Sequence, residues 1–317
     1  MSEGLGPRGP RVSSWHRPAG SAVVDGDPVV ITPQDAGWTY AGLRVIRLAR
    51  DGARRVQTGD NEMAVLPLSG GGLRIDVDDQ RFELEGRSSV FARVSDWAYL
   101  PIQTEAVLTG LGADGGEVEV AIASAVAART FPPAYVPAAE VPIELRGAGP
   151  ATRQVTNFMA PGVFDGADKL MCVELLTPDG NWSSYPPHRH DGSAGCPVDN
   201  EEIYYFRVGR LGSSEYEPQG FAQHRTYADA DAPREGVDVN LTVRDGDAFL
   251  IPYGYHGPCV AAPGYPLYYL NVLAGPGGDR TMAFCDDPTH HWVRDAWEGQ
   301  ALDPRCPMTT ADGVRRS

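Results

Sequence analysis

Glycine and proline decide what this chain can fold into. Its 317 residues include 37 Gly and 27 Pro, spread evenly enough to cut the apolar and alternating segments into runs too short for most helices. Runs of four to eight residues at 43–48, 63–67, 73–77, 80–84, 97–100, 106–109, 118–124, 169–176, 202–207, 237–243, 248–251 and 267–272 read as strands. Their regular spacing predicts an all-β protein of antiparallel sandwiches or barrels, not βαβ units. Segment 286–300 has Pro288 near its start and Trp292, Val293, Ala296 and Trp297 at helical spacing. It reads as one short helix or an irregular packing segment.

Residues 134–150, rich in Pro, Ala and Gly, read as a connector. The expected organisation is a flexible lead-in at 1–20, one β-barrel at 21–135 and a second at 150–300, the pattern of an internal duplication. His16 is the sole histidine before His188, so the first barrel is expected to lack a metal and the second to hold one. The net charge of −15 repels phosphate backbones and anionic lipid headgroups, which argues against nucleic-acid and membrane partners. The longest nearly apolar run, 118–128, falls short of the roughly 20 residues a spanning helix needs. Residues 1–20 lack the apolar core of a signal peptide, and five cysteines without a CxxC pair fit a reduced, cytoplasmic protein.

Chemistry concentrates in Tyr185-Pro186-Pro187-His188-Arg189-His190-Asp191, then Glu201-Glu202-Ile203-Tyr204-Tyr205-Phe206, then Pro252-Tyr253-Gly254-Tyr255-His256. Residues two apart on a strand share a face, so His188 and His190 can offer both imidazoles to one point. His256 and a glutamate from later strands would complete a divalent-metal site with positions left open for substrate. Strand alternation alone admits either Glu201 or Glu202. An isolated histidine is ordinarily a packed or surface residue; His224 has no comparable partner and reads as such. In His290-His291-Trp292 the adjacent imidazoles point to opposite sides and Trp292 reads as core packing, so ligation there is not expected.

These motifs resemble the cupin fold, in which HxH and a following Glu come from one motif and a last His from a second. The resemblance extends to the bicupin 5-deoxy-glucuronate isomerases of myo-inositol catabolism. It is carried by 180–191, by Glu201-Glu202-Ile203-Tyr204-Tyr205, Gly254-Tyr255-His256, Pro263-Gly264-Tyr265, 268–272 and 287–292, and in the first half by Thr32-Pro33, Ala36-Gly37-Trp38, Thr58-Gly59-Asp60, Leu68-Ser69-Gly70 and 86–91. It implies one divalent ion held by His188, His190, Glu202 and His256, and so favours Glu202 over Glu201. A related family acting on 4-deoxy-5-ketouronates places its glutamate closer to the HxH; here 192–200 intervenes. The chain departs from the usual pattern at Arg189, where Lys is expected, and at Gly257, where Pro is common.

The implied reaction is aldose–ketose isomerisation of 5-deoxy-D-glucuronate to 5-dehydro-2-deoxy-D-gluconate through an enediol(ate). It has no redox step, so Zn²⁺ would suffice, with Mn²⁺ and Fe²⁺ as alternatives. Candidates for moving the proton are Glu174, Tyr185, Asp191, Tyr255 and Tyr269. Lys169, Arg189 and Arg207 are candidates for binding the substrate carboxylate. The rival readings are an Fe(II) cupin dioxygenase and a non-enzymatic sugar-binding bicupin. The expected partner is a small anionic sugar acid, and exposed barrel faces fit a homo-oligomer.

Overall fold

The computed structural model describes residues 15–228 and 237–314. Strands dominate it, paired antiparallel into two pairs of sheets and one small C-terminal hairpin. In the first half a six-stranded sheet runs Ala134–Val136, Trp97–Leu100, Asn61–Ser69, Glu117–Val126, Ala41–Ala49, Val29–Ile31. It packs on a four-stranded sheet ordered Ala53–Gln57, Glu105–Gly112, Gly71–Val77, Gln80–Arg87. Between them lies an aliphatic core that includes Ile46, Val65, Leu73, Ile75, Leu108 and Val120.

The second half repeats the plan. A seven-stranded sheet, ordered His16–Arg17, Ala248–Ile251, Glu201–Val208, Leu267–Ala274, Met171–Thr177, Arg153–Thr156, Ile143–Arg146, faces a sheet ordered Asp238–Arg244, Phe221–Tyr227, Tyr255–Ala261, His188–Arg189, Cys285–Asp286. Its interior is aromatic, with Tyr204, Phe206, Phe249 and Tyr269. A third core joins the two large sheets of the halves through Leu43, Val45, Leu66, Ile203, Tyr205, Leu250, Leu270 and Val272. The strands of the seven-stranded sheet are therefore covered on both faces, and their sequences run apolar instead of alternating.

That double burial fixes the orientation of Glu201–Val208. Ile203 and Tyr205 point to the first half while Tyr204 and Phe206 point into the second barrel. Parity then sends Glu202 inward and Glu201 toward the first half. The Glu201 carboxylate accepts three consecutive backbone N–H groups, from Thr39 at 2.7 Å and from Tyr40 and Ala41 at 2.8 Å.

Several expectations are corrected. Within the supposed lead-in, His16–Arg17 is a strand paired with Ala248–Ile251; residues 1–14 lie outside the described residues. The connector carries strands of both halves, Ala134–Val136 and Ile143–Arg146. In segment 286–300 two 3₁₀ turns form, His291–Val293 and Asp295–Trp297, so of its two readings the irregular segment holds and the single helix does not. Trp292 is 63% exposed, because this segment crosses the surface instead of entering a core.

Candidate metal centre

Strand His188–Arg189 pairs with Tyr255–Ala261, and the register sets His188 directly opposite His256. Glu202 arrives from the facing sheet. One ligand atom each from His190, Glu202 and His256 converges, all within 4.8 Å of one another and all three residues buried. His190 Nε2 and His256 Nε2 each lie 3.1 Å from Glu202 Oε2. The second separation does not meet hydrogen-bond geometry, and His256 Nε2 has no hydrogen-bond partner among the described residues. Donors at right angles around an ion at about 2.1 Å sit about 3 Å apart, so buried atoms this close, one of them unbonded, fit a shared divalent cation.

The atoms behind the cluster fix it further. His190 Nδ1 faces the Asn200 carbonyl at 2.9 Å, leaving Nε2 for the centre, and Asn271 Nδ2 donates to Glu202 Oε1 at 2.9 Å. Burial opposes a charged carboxylate, yet the two imidazoles beside it hold Glu202 well below the usual range. Burial also disfavours protonated His190, but its bond to Glu202 outweighs this and raises its pKa. His256 is lowered, with burial the main cause. His188 stands beside this trio, its ring 4.4 Å from that of His256 and 6.3 Å from that of His190, with Nδ1 facing the Pro186 carbonyl at 3.3 Å. It is not among the converging donors.

Above the centre opens a cavity of about 650 Å³, lined in part by Trp38, Arg189, His190, Asp191, Tyr253 and His256. Among the described residues Arg189 is the one Arg or Lys in that lining, and its guanidinium lies 4.7 Å over the Tyr255 ring. Gly195 leaves room for this guanidinium, since a Cβ there would lie 2.1 Å from Arg189 Nη2 and push the side chain aside. Asp191 accepts N–H bonds from Gly254 at 2.9 Å and Ser193 at 3.2 Å; burial would raise its pKa, but the Ser193 side chain, these bonds and the Arg189 charge together lower it.

The other sequence candidates sit elsewhere. Glu174 is buried against Arg87 and accepts the Tyr268 hydroxyl, on the sheet face turned toward the first half. Arg207 bonds Glu119 and Asp245 at the same junction. The Lys169 ammonium donates to the carbonyls of Pro276 and Gly277, and lines a separate hollow. Tyr185 packs edge-on against Trp182. Tyr269 is buried in the barrel with its hydroxyl on Ser183 and Ser184, both at 2.8 Å. His224 proves fully buried, between Thr226 and Cys259, and burial pushes its pKa down to about 3. Asn271, Trp38 and Tyr253, by contrast, were not singled out for roles by the sequence.

The cysteines are also corrected. Cys196 and Cys285 form a disulfide across 89 residues, tying the 192–200 loop to the strand beside Arg189. Cys172, Cys259 and Cys306 are buried and take no part in this disulfide. Thiol titration of the denatured, unreduced protein is expected to give three thiols per chain and, after reduction, all five. Five before reduction would contradict the bond.

Two antiparallel barrels with a His/Glu cluster inside the second define a bicupin with a metal-type centre. *Bacillus subtilis* oxalate decarboxylase shares this fold at a TM-score of 0.55, with 10% identity over 86% of this chain and 82% of that one. The KduI/IolB family pattern matches residues 17–293, and the chain belongs to that family. It is 38% identical over 283 residues to the 5-deoxy-glucuronate isomerase of *Geobacillus kaustophilus*, covering 88% of this chain and 95% of that one. Identity to the *Bacillus subtilis* (strain 168) 5-deoxy-glucuronate isomerase is 32% over 270 residues, 83% of this chain and 91% of that one. A crystal structure of an IolB-like protein from *Salmonella typhimurium* LT2 superposes at a TM-score of 0.76, with 31% identity over 88% of this chain and 98% of that one. Among the described residues no helix is long and apolar enough to cross a membrane.

Proposed function

We propose that this isomerase converts 5-deoxy-D-glucuronate to 5-dehydro-2-deoxy-D-gluconate in myo-inositol catabolism, in the cytoplasm, using one divalent ion held by His190, Glu202 and His256, with His188, opposite His256 in register and 4.4 Å from its ring, turning in as the fourth ligand when the ion binds. The observation that carries the reading is the convergence of three buried donors beneath a cavity that also contains a guanidinium. A divalent ion bound there would supply Lewis acidity to the substrate's carbonyl oxygen, and Zn²⁺ meets that need because no electron is transferred.

The remaining work falls to the chain's own side chains. Arg189 offers a planar, permanently charged donor pair suited to the carboxylate of the sugar acid. The stack on Tyr255 and the close approach of Gly195 hold it in the cavity wall. Of the five proton-transfer candidates, Asp191 is the one that lines the cavity, and we assign it the proton moved between the adjacent carbons. Its two backbone N–H bonds keep it ionised and make it a weak base, so it requires a carbon-bound proton already acidified by the polarised carbonyl.

Metal analysis together with an NMR assay of the purified protein tests this. About one divalent ion per chain and conversion of 5-deoxy-D-glucuronate are expected, with turnover lost on chelation and restored by Zn²⁺, Mn²⁺ or Fe²⁺. Full turnover by rigorously stripped protein would sink the proposed role of the ion.

A further inference from the structure

The donor cluster belongs to the second half alone, but the cavity over it does not. Gly37, Trp38 and Thr39 of the first half supply part of its wall. This short arm is fixed on both sides of Trp38. On its N-terminal side a capping box between Thr32 and Asp35 closes the turn Pro33–Ala36, and Gly37 reverses the chain at a φ of 71°. The Trp38 N–H then donates to the Pro33 carbonyl at 2.7 Å. On its C-terminal side the next three N–H groups all bind the Glu201 carboxylate. Glu201 adjoins Glu202, so the arm is fastened to the ligand strand one residue from the metal-type centre.

A first half without the histidine cluster thus contributes to the cavity wall a tryptophan whose backbone is pinned on both sides and which packs, partly buried, against the core between the halves. We propose that Trp38 determines specificity for the deoxy sugar acid, its indole forming the apolar wall against which the C–H face and deoxy methylene of the substrate lie. This rests on the reaction proposed above. A methylene keeps its contact with an aromatic face, whereas the hydroxyl of the parent uronate would leave water there without gaining an acceptor. An apolar wall discriminates a single such group by about 10- to 100-fold, so the effect is large enough to measure and too small to be absolute.

The test compares full-length wild type with Trp38→Ala, Trp38→Leu and Trp38→Phe, using 5-deoxy-D-glucuronate as substrate and D-glucuronate as competing inhibitor. Trp38→Ala is expected to raise KM about tenfold or more with kcat within about threefold, with bound metal unchanged and the preference over D-glucuronate shrinking by a similar factor. Phe keeps the aromatic face and should restore KM to within about threefold, while Leu, which keeps bulk alone, should not. The Phe–Leu comparison still decides if the Ala variant does not fold. An unchanged KM in the Ala and Leu variants overturns the proposal, and so does a fall in kcat and metal content at constant KM, which marks mere support of the fold. A wild-type enzyme that ignores 5-deoxy-D-glucuronate would instead overturn the reaction assigned above.

Discussion

Glu202→Gln is expected to leave a folded protein that does not bind the divalent ion proposed above and has lost roughly 10³-fold or more in kcat/KM, the equivalent of about 4 kcal/mol of transition-state stabilisation. The substitution preserves volume and the bond from Asn271, so circular dichroism should change little, while the melting temperature falls by what the bound ion and the His190 bond contributed. What disappears is the one anionic donor in the cluster, 3.1 Å from an imidazole nitrogen on either side. An amide turns either a weak oxygen or an N–H toward the centre, and the N–H repels a cation. Glu201→Gln is the matched control, one residue away on the opposite face of the strand. It should retain metal but lose about 1–3 kcal/mol of stability, because three N–H groups that met a carboxylate would meet a neutral oxygen. Equal metal loss in both variants would refute the inward and outward assignment.

The reasons some features were legible in the sequence and others were not are physical. Trp97–Leu100 and Ala248–Ile251 match the sequence reading because each is a buried apolar run bounded by turn residues. Ala53–Gln57 and Phe221–Tyr227 were missed because one face of each is solvated, through Arg55 and Gln57 in one and Gln223 in the other, so they lack an apolar signature. The pairing of imidazoles was readable because HxH spacing is local. The roles of Glu174 and Arg207 were not, since their partners Arg87 and Glu119 lie 87 and 88 residues earlier. The 89-residue separation of Cys196 and Cys285 hid their bond in the same way. Strand alternation leaves Glu201 and Glu202 open and only the family resemblance favours Glu202; the physical reason, the first half packing against the second, is one that no periodicity within a single strand reports.

That packing yields the second large effect: Arg87→Ala is expected to destabilise the protein by about 3–5 kcal/mol without changing its metal content. Arg87 and Glu174 are 2% and 3% exposed, and they join the last strand of the first half's smaller sheet to the second half's large sheet. The guanidinium also donates to the carbonyls of Pro67 at 2.9 Å and Arg93 at 3.2 Å, and Glu174 accepts the Tyr268 hydroxyl at 2.8 Å. Burial alone would lower the pKa of Arg87, and the Glu174 carboxylate beside it more than offsets this. Truncating Arg87 therefore strands a buried carboxylate and removes the donor from two carbonyls, whereas removing both charges leaves no uncompensated ion. The double substitution Arg87→Met with Glu174→Leu should recover most of the lost stability in urea titrations. A single Arg87→Ala within about 1 kcal/mol of wild type would show that water reaches this junction. Glu174→Gln extends the argument to function: placed between the halves and away from the cavity, it should lower the unfolding midpoint while leaving kcat within about twofold, whereas a proton-transfer role would cost about 10²-fold or more.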